Sequence, residues 1–305
     1  MLRNINIIVT NRCNSRCRNC NIWKKENKDD ELWPEDIAGI FKLDGFERIE
    51  EVGLSGGEPF LRKDINEIIL AIVKNNKALK SLYLTTNASM RDRVLDTCEL
   101  ICDVGIENPN IGVSLEGTQE VNRIVRGVDS YNNAINLLKD IKNKYPSINT
   151  SISLTICKEN CKEDILEHVY NLSKELDCGF SFRLAAESDY YGNEGQGFKI
   201  DSDSRKMLIK FIMDHDLDDE YMREQVYYLL TGKIPVMYDY QANKNICLAG
   251  KKFIFIQSNG DFYPCMYSNE VIGNYKEGIV KNKDFYKAKE CPCMTECTVW
   301  PMLLK

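Results

Sequence analysis

The sequence predicts an α/β fold with parallel strands, as a barrel-like or doubly wound layer. Three observations carry that prediction. Apolar, β-branched runs alternate with amphipathic stretches up to about residue 185. The gaps between runs hold helical patterns, and strand–helix–strand units make parallel pairs with right-handed crossovers. The carboxyl ends of the runs carry polar or glycine-rich residues, and ligands of parallel α/β folds gather at those ends.

The first run, Ile5–Thr10, leads directly into Asn11-Arg12-Cys13-Asn14-Ser15-Arg16-Cys17-Arg18-Asn19-Cys20. A helix is expected over Trp33–Phe41, where Pro34 suits the first turn and Glu35 and Asp36 suit the positive end of the dipole. The second run, Glu51–Ser55, ends in Ser55-Gly56-Gly57-Glu58-Pro59 and precedes a helix over Ile65–Asn75. The third, Ser81–Thr86, ends in Thr85-Thr86-Asn87 and precedes Asp92–Cys102. The fourth, Asn110–Leu115, ends in Ser114-Leu115-Glu116-Gly117 and precedes Ser130–Asn143. The fifth, Asn149–Ile156, precedes Lys162–Leu176, and the sixth, Gly179–Ala185, ends in Arg183-Leu184-Ala185. Such ends would ring one mouth with hydrogen-bonding groups. Two adjacent glycines let backbone approach a ligand closely, and Glu58 sets a carboxylate beside that bare backbone.

The cysteines say what the mouth holds. Cys13, Cys17 and Cys20 have the spacing C-x3-C-x2-C. Soft thiolates are the natural ligands of iron–sulfur clusters. Three of them hold three irons of a [4Fe-4S] cubane and leave the fourth open to bind and activate a small molecule. A structural zinc knuckle, or cysteines that merely pack, is the competing reading; zinc wants four closed ligands, and no further Cys or His follows before Cys98.

Composition narrows the class. The 305 residues suit one large domain, or one large and one small. A net charge of -6 with no basic stripe argues against nucleic acid and anionic membranes as partners. No signal peptide and no membrane-spanning run is read, so the expected location is cytoplasmic. Thirteen cysteines without a secretory signal point to metal or redox use rather than a disulfide framework. The two histidines, His168 and His215, fall in helical patterns and leave little for a His-rich site or a catalytic triad. Cys98, Cys102, Cys157, Cys161 and Cys178 read as small hydrophobes.

With the cysteine stretch and the Gly-Gly-Glu-Pro turn both in place, the chain resembles the radical S-adenosylmethionine (SAM) enzymes over roughly residues 3–190. The resemblance implies a partial (β/α)6 TIM-like barrel. It implies that Cys13, Cys17 and Cys20 hold a [4Fe-4S] cluster whose open iron is chelated by the amine and carboxylate of SAM. Carried over by position, Gly56, Gly57 and Glu58 would meet the methionine amino group. Thr86 and Asn87 would lie near the ribose or sulfonium. Ser114 and Arg126 would hold the carboxylate or ribose, and the backbone near Leu184 the adenine. Where the family has an aromatic residue before the third cysteine, this chain has Asn19, and Trp23 is the neighbouring candidate for that packing role. The implied chemistry is one-electron: an external flavodoxin- or ferredoxin-type donor reduces the cluster, and SAM is cleaved to a 5′-deoxyadenosyl radical that abstracts hydrogen.

A second cysteine group follows. The stretch Ala186–Asn245 reads as mainly helical and acidic, opening with an irregular loop, Glu187–Gly195, that follows strand six. Lys252–Gln257 reads as a strand, and Ser258-Asn259-Gly260-Asp261 as a hairpin turn of the primed type that Asn-Gly favours. Cys247, Gly260 and Cys265 have the spacing C-x12-G-x4-C, which resembles the start of the SPASM or twitch extension of many radical SAM enzymes. Its ending is shortened here to Cys291, Cys293 and Cys297. That is enough for one auxiliary [4Fe-4S] cluster, held by Cys247, Cys265, Cys297 and one of Cys291 and Cys293, with a zinc ribbon as the alternative. The fifth thiol would be idle or would return a hydrogen atom to a substrate radical. The expected division is a core barrel over 1–190, a mainly helical connector over 191–245 and a cluster-binding extension over 246–305.

Two substrate classes compete: a peptide, or a small molecule of the sugar or aminocyclitol kind. The products would be those of oxidation, epimerisation or crosslinking. With strand one at the start of the sequence, no peptide-binding domain is expected before it, which would favour a small molecule or a peptide held by the barrel itself. Few basic residues follow strand six, and paired C-terminal arginines have no counterpart, which argues against a molybdopterin-type nucleotide cyclase. A non-catalytic iron–sulfur electron carrier or zinc protein is the alternative from another class; it explains the cysteines but not the Gly-Gly-Glu-Pro turn.

Overall fold

The computed structural model describes residues 2–25, 30–197, 200–217, 226, 229–230, 237–239, 244–246, 249–250 and 252–279. Six strands pair side by side in chain order: β1 (Asn4–Thr10), β2 (Glu51–Gly56), β3 (Ser81–Thr86), β4 (Asn108–Ser114), β5 (Asn149–Ile156) and β6 (Gly179–Leu184). Every neighbouring pair among them is parallel. The order never reverses, so the barrel-like alternative holds and the doubly wound one does not. Because β1 and β6 are not paired with each other, the barrel is open.

The crossovers carry α1 (Pro34–Ile40), α2 (Ile65–Asn75), α3 (Arg91–Val104), α4 (Gln119–Arg126), α5 (Tyr131–Lys144) and α6 (Glu163–Glu175), with α7 (Ser202–Asp214) after β6. The strands present alternate residues to the helices. Leu82 and Leu84 on β3, Ile111 and Val113 on β4 and Ile152 on β5 join Ile68, Ile69 and Ile72 of α2 and Leu137, Leu138 and Ile141 of α5 in one core. Burial of such side chains is worth about 1.5–3 kcal/mol each, which makes this layer the main source of stability. His168 lies on α6 with Nε2 2.8 Å from the Tyr131 hydroxyl, and His215 caps α7 beside Glu167.

Helix α4 has no counterpart in the sequence reading. It is one short element with only Asn122 and Val125 buried, too few to make a periodic signal. Its local chemistry is nonetheless helical, with Thr118 as N-cap, Arg123 and Arg126 in the last turn and Gly127 as left-handed C-cap.

Beyond α7, β7 (Met237–Asp239) and β8 (Lys244–Ile246) form an antiparallel pair inside the stretch read as mainly helical. Strands of three residues leave no period to read. The next strand, β9 (Phe253–Ile256), is buried at every position and pairs parallel to the free side of β1. Then β10 (Asp261–Tyr263), β11 (Gly273–Asn274) and β12 (Gly278–Ile279) continue the same sheet antiparallel. The turn into β10 differs from the primed two-residue form. Gln257 N–H donates to Asp261 O and Gly260 N–H to Gln257 O, which makes a three-residue loop. Only Gly260 takes positive φ, at +89°, whereas a type I′ turn needs it at Asn259 too. Among the described residues no helix is long and apolar enough to cross a membrane.

Candidate active site

The cysteine stretch leaves the carboxyl end of β1 and is clamped by backbone on two sides. From β2, Gly57 N–H donates to Thr10 O at 2.7 Å and Glu58 N–H to Arg12 O at 2.8 Å. A Cβ on Gly57 would stand 2.2 Å from Arg12 O and 2.9 Å from Cys13 Cβ. On Gly56 it would stand 2.2 Å from Thr10 O. The two glycines thus serve first to let the cysteine loop approach β2, a role beyond the ligand approach expected of them. From the other side, Arg16 N–H donates to Arg126 O and Arg18 N–H to Val125 O, both at 2.9 Å. Gly127 permits this: its φ is +67°, and a Cβ there would meet Arg16 O at 2.4 Å. The loop's exit is tied by Asn21 N–H to Tyr191 O at 2.7 Å and by Asn193 Nδ2 to Asn19 O at 2.7 Å. The loop after β6 thus packs against the exit of the cysteine loop, and its Tyr191 lines the cavity at the mouth. Trp23 lines the cavity these elements frame, its ring under the Arg16 guanidinium and its Nε1 donating to Cys20 O.

Cys13, Cys17 and Cys20 open onto a single cavity at the carboxyl ends of the strands. Gly56, Gly57, Glu58, Thr86, Asn87, Ser114, Arg126 and Leu184 line that same cavity, so every SAM-contact candidate from the sequence is brought together there. Burial pushes all three thiols up, Cys20 to about 12, while the Arg126 charge pulls each down.

Glu58 is fully buried and engaged. One carboxylate oxygen accepts from the Thr86 hydroxyl at 2.9 Å and from Phe60 N–H, and the other accepts from Asn87 N–H at 2.7 Å. Burial pushes its carboxyl up to about 7, against the pull of those donors and of Arg126. Asn87 in turn donates to Asn14 Oδ1 and Ser15 Oγ, which ties the end of β3 to the cysteine loop.

Across the mouth lies a charged group to which the sequence reading gave no role. Glu116, 2% exposed, accepts from Thr155 N–H at 2.7 Å and from Arg126 Nη1 at 3.4 Å. Burial raises its carboxyl, while Arg126, the Thr155 donor and Arg183 oppose that rise. Burial also works against the Arg126 charge, but Cys17, Glu116, Cys13 and Glu58 outweigh it and hold the guanidinium charged. Arg126 Nε is buried and without a hydrogen-bond partner.

Below this group the inner wall is lined by hydroxyls. The strand register places Ser114, Ser153 and Ser181 in one row across β4, β5 and β6, with Thr155 beside Arg183 one step above. All five line the cavity, and Tyr83 reaches across from β3 with its hydroxyl 3.4 Å from Ser153 Oγ. Gly112 makes room for it, since a Cβ there would lie 2.3 Å from that oxygen. The signal for this wall was present in Ser151-Ile152-Ser153-Leu154-Thr155-Ile156, whose polar residues share one face of the strand.

Of the second cysteine group, Cys265 lies among the described residues, and Cys247, Cys291, Cys293 and Cys297 lie outside them. Cys265 is 3% exposed, in an apolar cluster with Ile8, Ile22, Tyr190 and Phe255, against which Cys20 also packs. A second cavity is lined by Cys265, Asn11, Asp189 and Tyr263, among others.

The donor set fits an iron–sulfur cluster with a chelating ligand. Three thiols face one space, yet among the described residues no three His, Cys, Asp or Glu side chains converge to hold a single metal ion. That geometry suits a body broader than one zinc ion. The unpartnered Arg126 Nε beside the thiols suits an anionic group of the ligand.

The chain matches the Radical SAM superfamily over residues 7–169. It belongs to that superfamily. Membership implies a [4Fe-4S] cluster and SAM. Among curated relatives, a GTP 3',8-cyclase of Clostridium botulinum (strain Okra / Type B1) is 25% identical over 285 residues, 88% of this chain and 82% of that one. A probable GTP 3',8-cyclase of Methanocaldococcus jannaschii is 28% identical over 137 residues, and the chain spans 44% of it. Among solved structures, Streptococcus suis SuiB bound to S-adenosylmethionine has a TM-score of 0.70 at 19% identity, covering 91% of this chain and 64% of that one. Native anSMEcpe with AdoMet and the Cp18Cys peptide has a TM-score of 0.66 at 18% identity, covering 94% and 81%. At these identities the solved structures establish the shared radical SAM fold.

Proposed function

We propose that this chain cleaves SAM reductively and uses the resulting radical to take a hydrogen atom from a peptide or a polar small molecule, for oxidation, epimerisation or crosslinking. One observation carries the reading: three thiols and a set of polar strand ends from five strands share one cavity. When bound, the cluster and SAM supply a 5′-deoxyadenosyl radical, chemistry that side chains alone lack.

In this reading Cys13, Cys17 and Cys20, as thiolates, would hold three irons of the cluster. The rise of their pKa by burial makes metal binding the event that releases their protons. Arg126 compensates the charge so formed and offers Nε to the SAM carboxylate, with Ser114 beside it. Glu58, Gly56 and Gly57 receive the amino group. Thr86 and Asn87 stand near the ribose or sulfonium, and the Leu184 backbone meets the adenine. Tyr83, Ser153 and Ser181 face the substrate with hydrogen-bonding groups and keep it oriented toward the ligand. Cys265, with Cys247, Cys297 and one of Cys291 and Cys293, holds one auxiliary cluster, and the chain divides at about residues 190 and 245.

A second reading is cyclisation of a purine nucleotide, favoured by the similarity to GTP 3',8-cyclases over 88% of the chain. The sparse basic residues after β6 weigh against it.

The test is anaerobic reconstitution with iron and sulfide, followed by SAM and dithionite. We expect 5′-deoxyadenosine, and about eight irons per chain, as two cubanes of four. Cys17→Ala should abolish the product. Product equal to that of the variant removes the enzyme reading, and about four irons removes the auxiliary cluster. A GTP arm separates the second reading: conversion of GTP to a cyclised product would favour the nucleotide.

A further inference from the structure

We propose that the outer face of the cysteine loop is the docking surface for an acidic one-electron carrier protein. The inference rests on the reading of the site given above, which requires an electron from outside.

The sequence interleaves cations with the thiols: Arg12 precedes Cys13, and Arg16 and Arg18 flank Cys17. The structure turns the thiols inward to the cavity and leaves all three arginines exposed. Arg12 and Arg18 keep 52% and 57% of their side chains exposed, although Glu31 and Glu159 stand beside them. Those two carboxylates are themselves mostly covered, at 12% and 16%. They hold the guanidinium groups from behind and leave the charge facing out. Two exposed lysines extend the patch. Lys24 lies over the Trp23 ring that also carries Arg16, and Lys158 lines a shallow hollow with Arg18.

This concentration of positive charge stands on a chain of net charge -6. Nonspecific attraction of an acidic protein is therefore weak elsewhere and favourable here. Complementary charge steers encounter and raises association rates by roughly 10–10³. The location matters as much as the sign. Each exposed arginine is a sequence neighbour of a cysteine, so a carrier seated on the patch lies against the loop that bears the thiols. The clamp on the loop backbone keeps that loop fixed. In the transfer, the carrier would be oxidised by one electron and the cluster that Cys13, Cys17 and Cys20 would hold would be reduced by one; no atom changes hands.

The experiment compares two electron sources on the reconstituted full chain. Flavodoxin hydroquinone tests the docking surface, and dithionite bypasses it. The variant carries Arg12→Gln, Arg18→Gln and Lys158→Gln. Arg16 is left in place because it donates to Cys13 O and Ser15 O. At about 0.01 M ionic strength, where screening extends about 30 Å, we expect the variant's flavodoxin-driven formation of 5′-deoxyadenosine to fall at least about tenfold. Its dithionite-driven rate should stay within about twofold of the wild type. In the wild type, raising the ionic strength to about 0.15 M shortens screening to about 8 Å and should slow only the flavodoxin arm. Equal flavodoxin rates in variant and wild type, with no salt dependence, overturn the proposal. A short RNA retained by the wild type and released by the variant, with the flavodoxin rate unchanged, assigns the patch to nucleic acid and also overturns it. No product from the wild type with dithionite defeats the underlying site reading itself.

Discussion

The two halves of the barrel mouth are built on different principles. On the side of β1 to β3, backbone meets backbone: Gly56 and Gly57 accept the cysteine loop at distances no side chain allows, and Gly127 accepts it from α4. Hydrogen bonds that Glu58 accepts and Asn87 donates then lock the strand ends together. On the side of β4 to β6, side chains meet open space, as a row of hydroxyls under one buried charge pair. A site that must hold thiols in fixed relation needs backbone precision, whereas a wall that must recognise a polar molecule needs hydrogen-bonding groups free to face it. Substitutions should therefore cost stability in the first half and coupling to substrate in the second, with the charge pair as the exception.

The largest effect should come from that exception. Glu116→Ala leaves Arg126 without its carboxylate and the Thr155 N–H without its acceptor. Breaking a buried pair costs about 3–5 kcal/mol, so chemical denaturation should show a loss of that order, with Glu116→Gln milder. A loss below about 1 kcal/mol would mean that the charge pair, too, obeys the tolerance expected of the wall.

Next is Gly57→Ala, which must displace the Arg12 carbonyl and Cys13. Overpacking of this kind costs about 1–3 kcal/mol, and here it acts on a thiol-bearing residue. Iron uptake on reconstitution should fall together with stability. Normal uptake in a destabilised protein would uncouple the clamp from cluster assembly.

A smaller effect concerns pH. Burial pushes the Glu58 carboxyl up from its ordinary 4.5 to about 7 in the fold. The folded chain then binds the extra proton between those values, so the apo protein should lose stability as pH rises from about 5 to 7, by about 2–3 kcal/mol. Glu58→Gln should flatten that slope in denaturation curves taken across the range. A rising slope would mean that the donors from Thr86 and Asn87 outweigh burial.

The smallest structural effect is expected at Ser153→Ala, within about 0.5–1 kcal/mol of the wild type by thermal melting. Dithionite-driven SAM cleavage should continue, while hydrogen abstraction from substrate weakens. A large loss of stability would make the hydroxyl row part of the fold rather than of recognition.

Much of this was legible beforehand. Five expected helices and seven expected strands appear within a few residues of their expected bounds, because each run long enough to show a pattern also buries a face. Helix α4 was not legible, since two buried residues make no period, and the pairing of β9 with β1 was not, since nothing local to Phe253–Ile256 names its partner.

By itself the sequence determined the α/β class, the three thiols at one strand end and the Gly-Gly-Glu turn at the next, because spacing along a chain dictates which residues can share a loop. Only the tertiary structure decided that the glycines face the cysteine loop, that Glu116 neutralises Arg126 and that Ser114, Ser153 and Ser181 align. Those contacts join residues from 10 to 111 positions apart, where strand register and side-chain packing, not local propensity, set the distance.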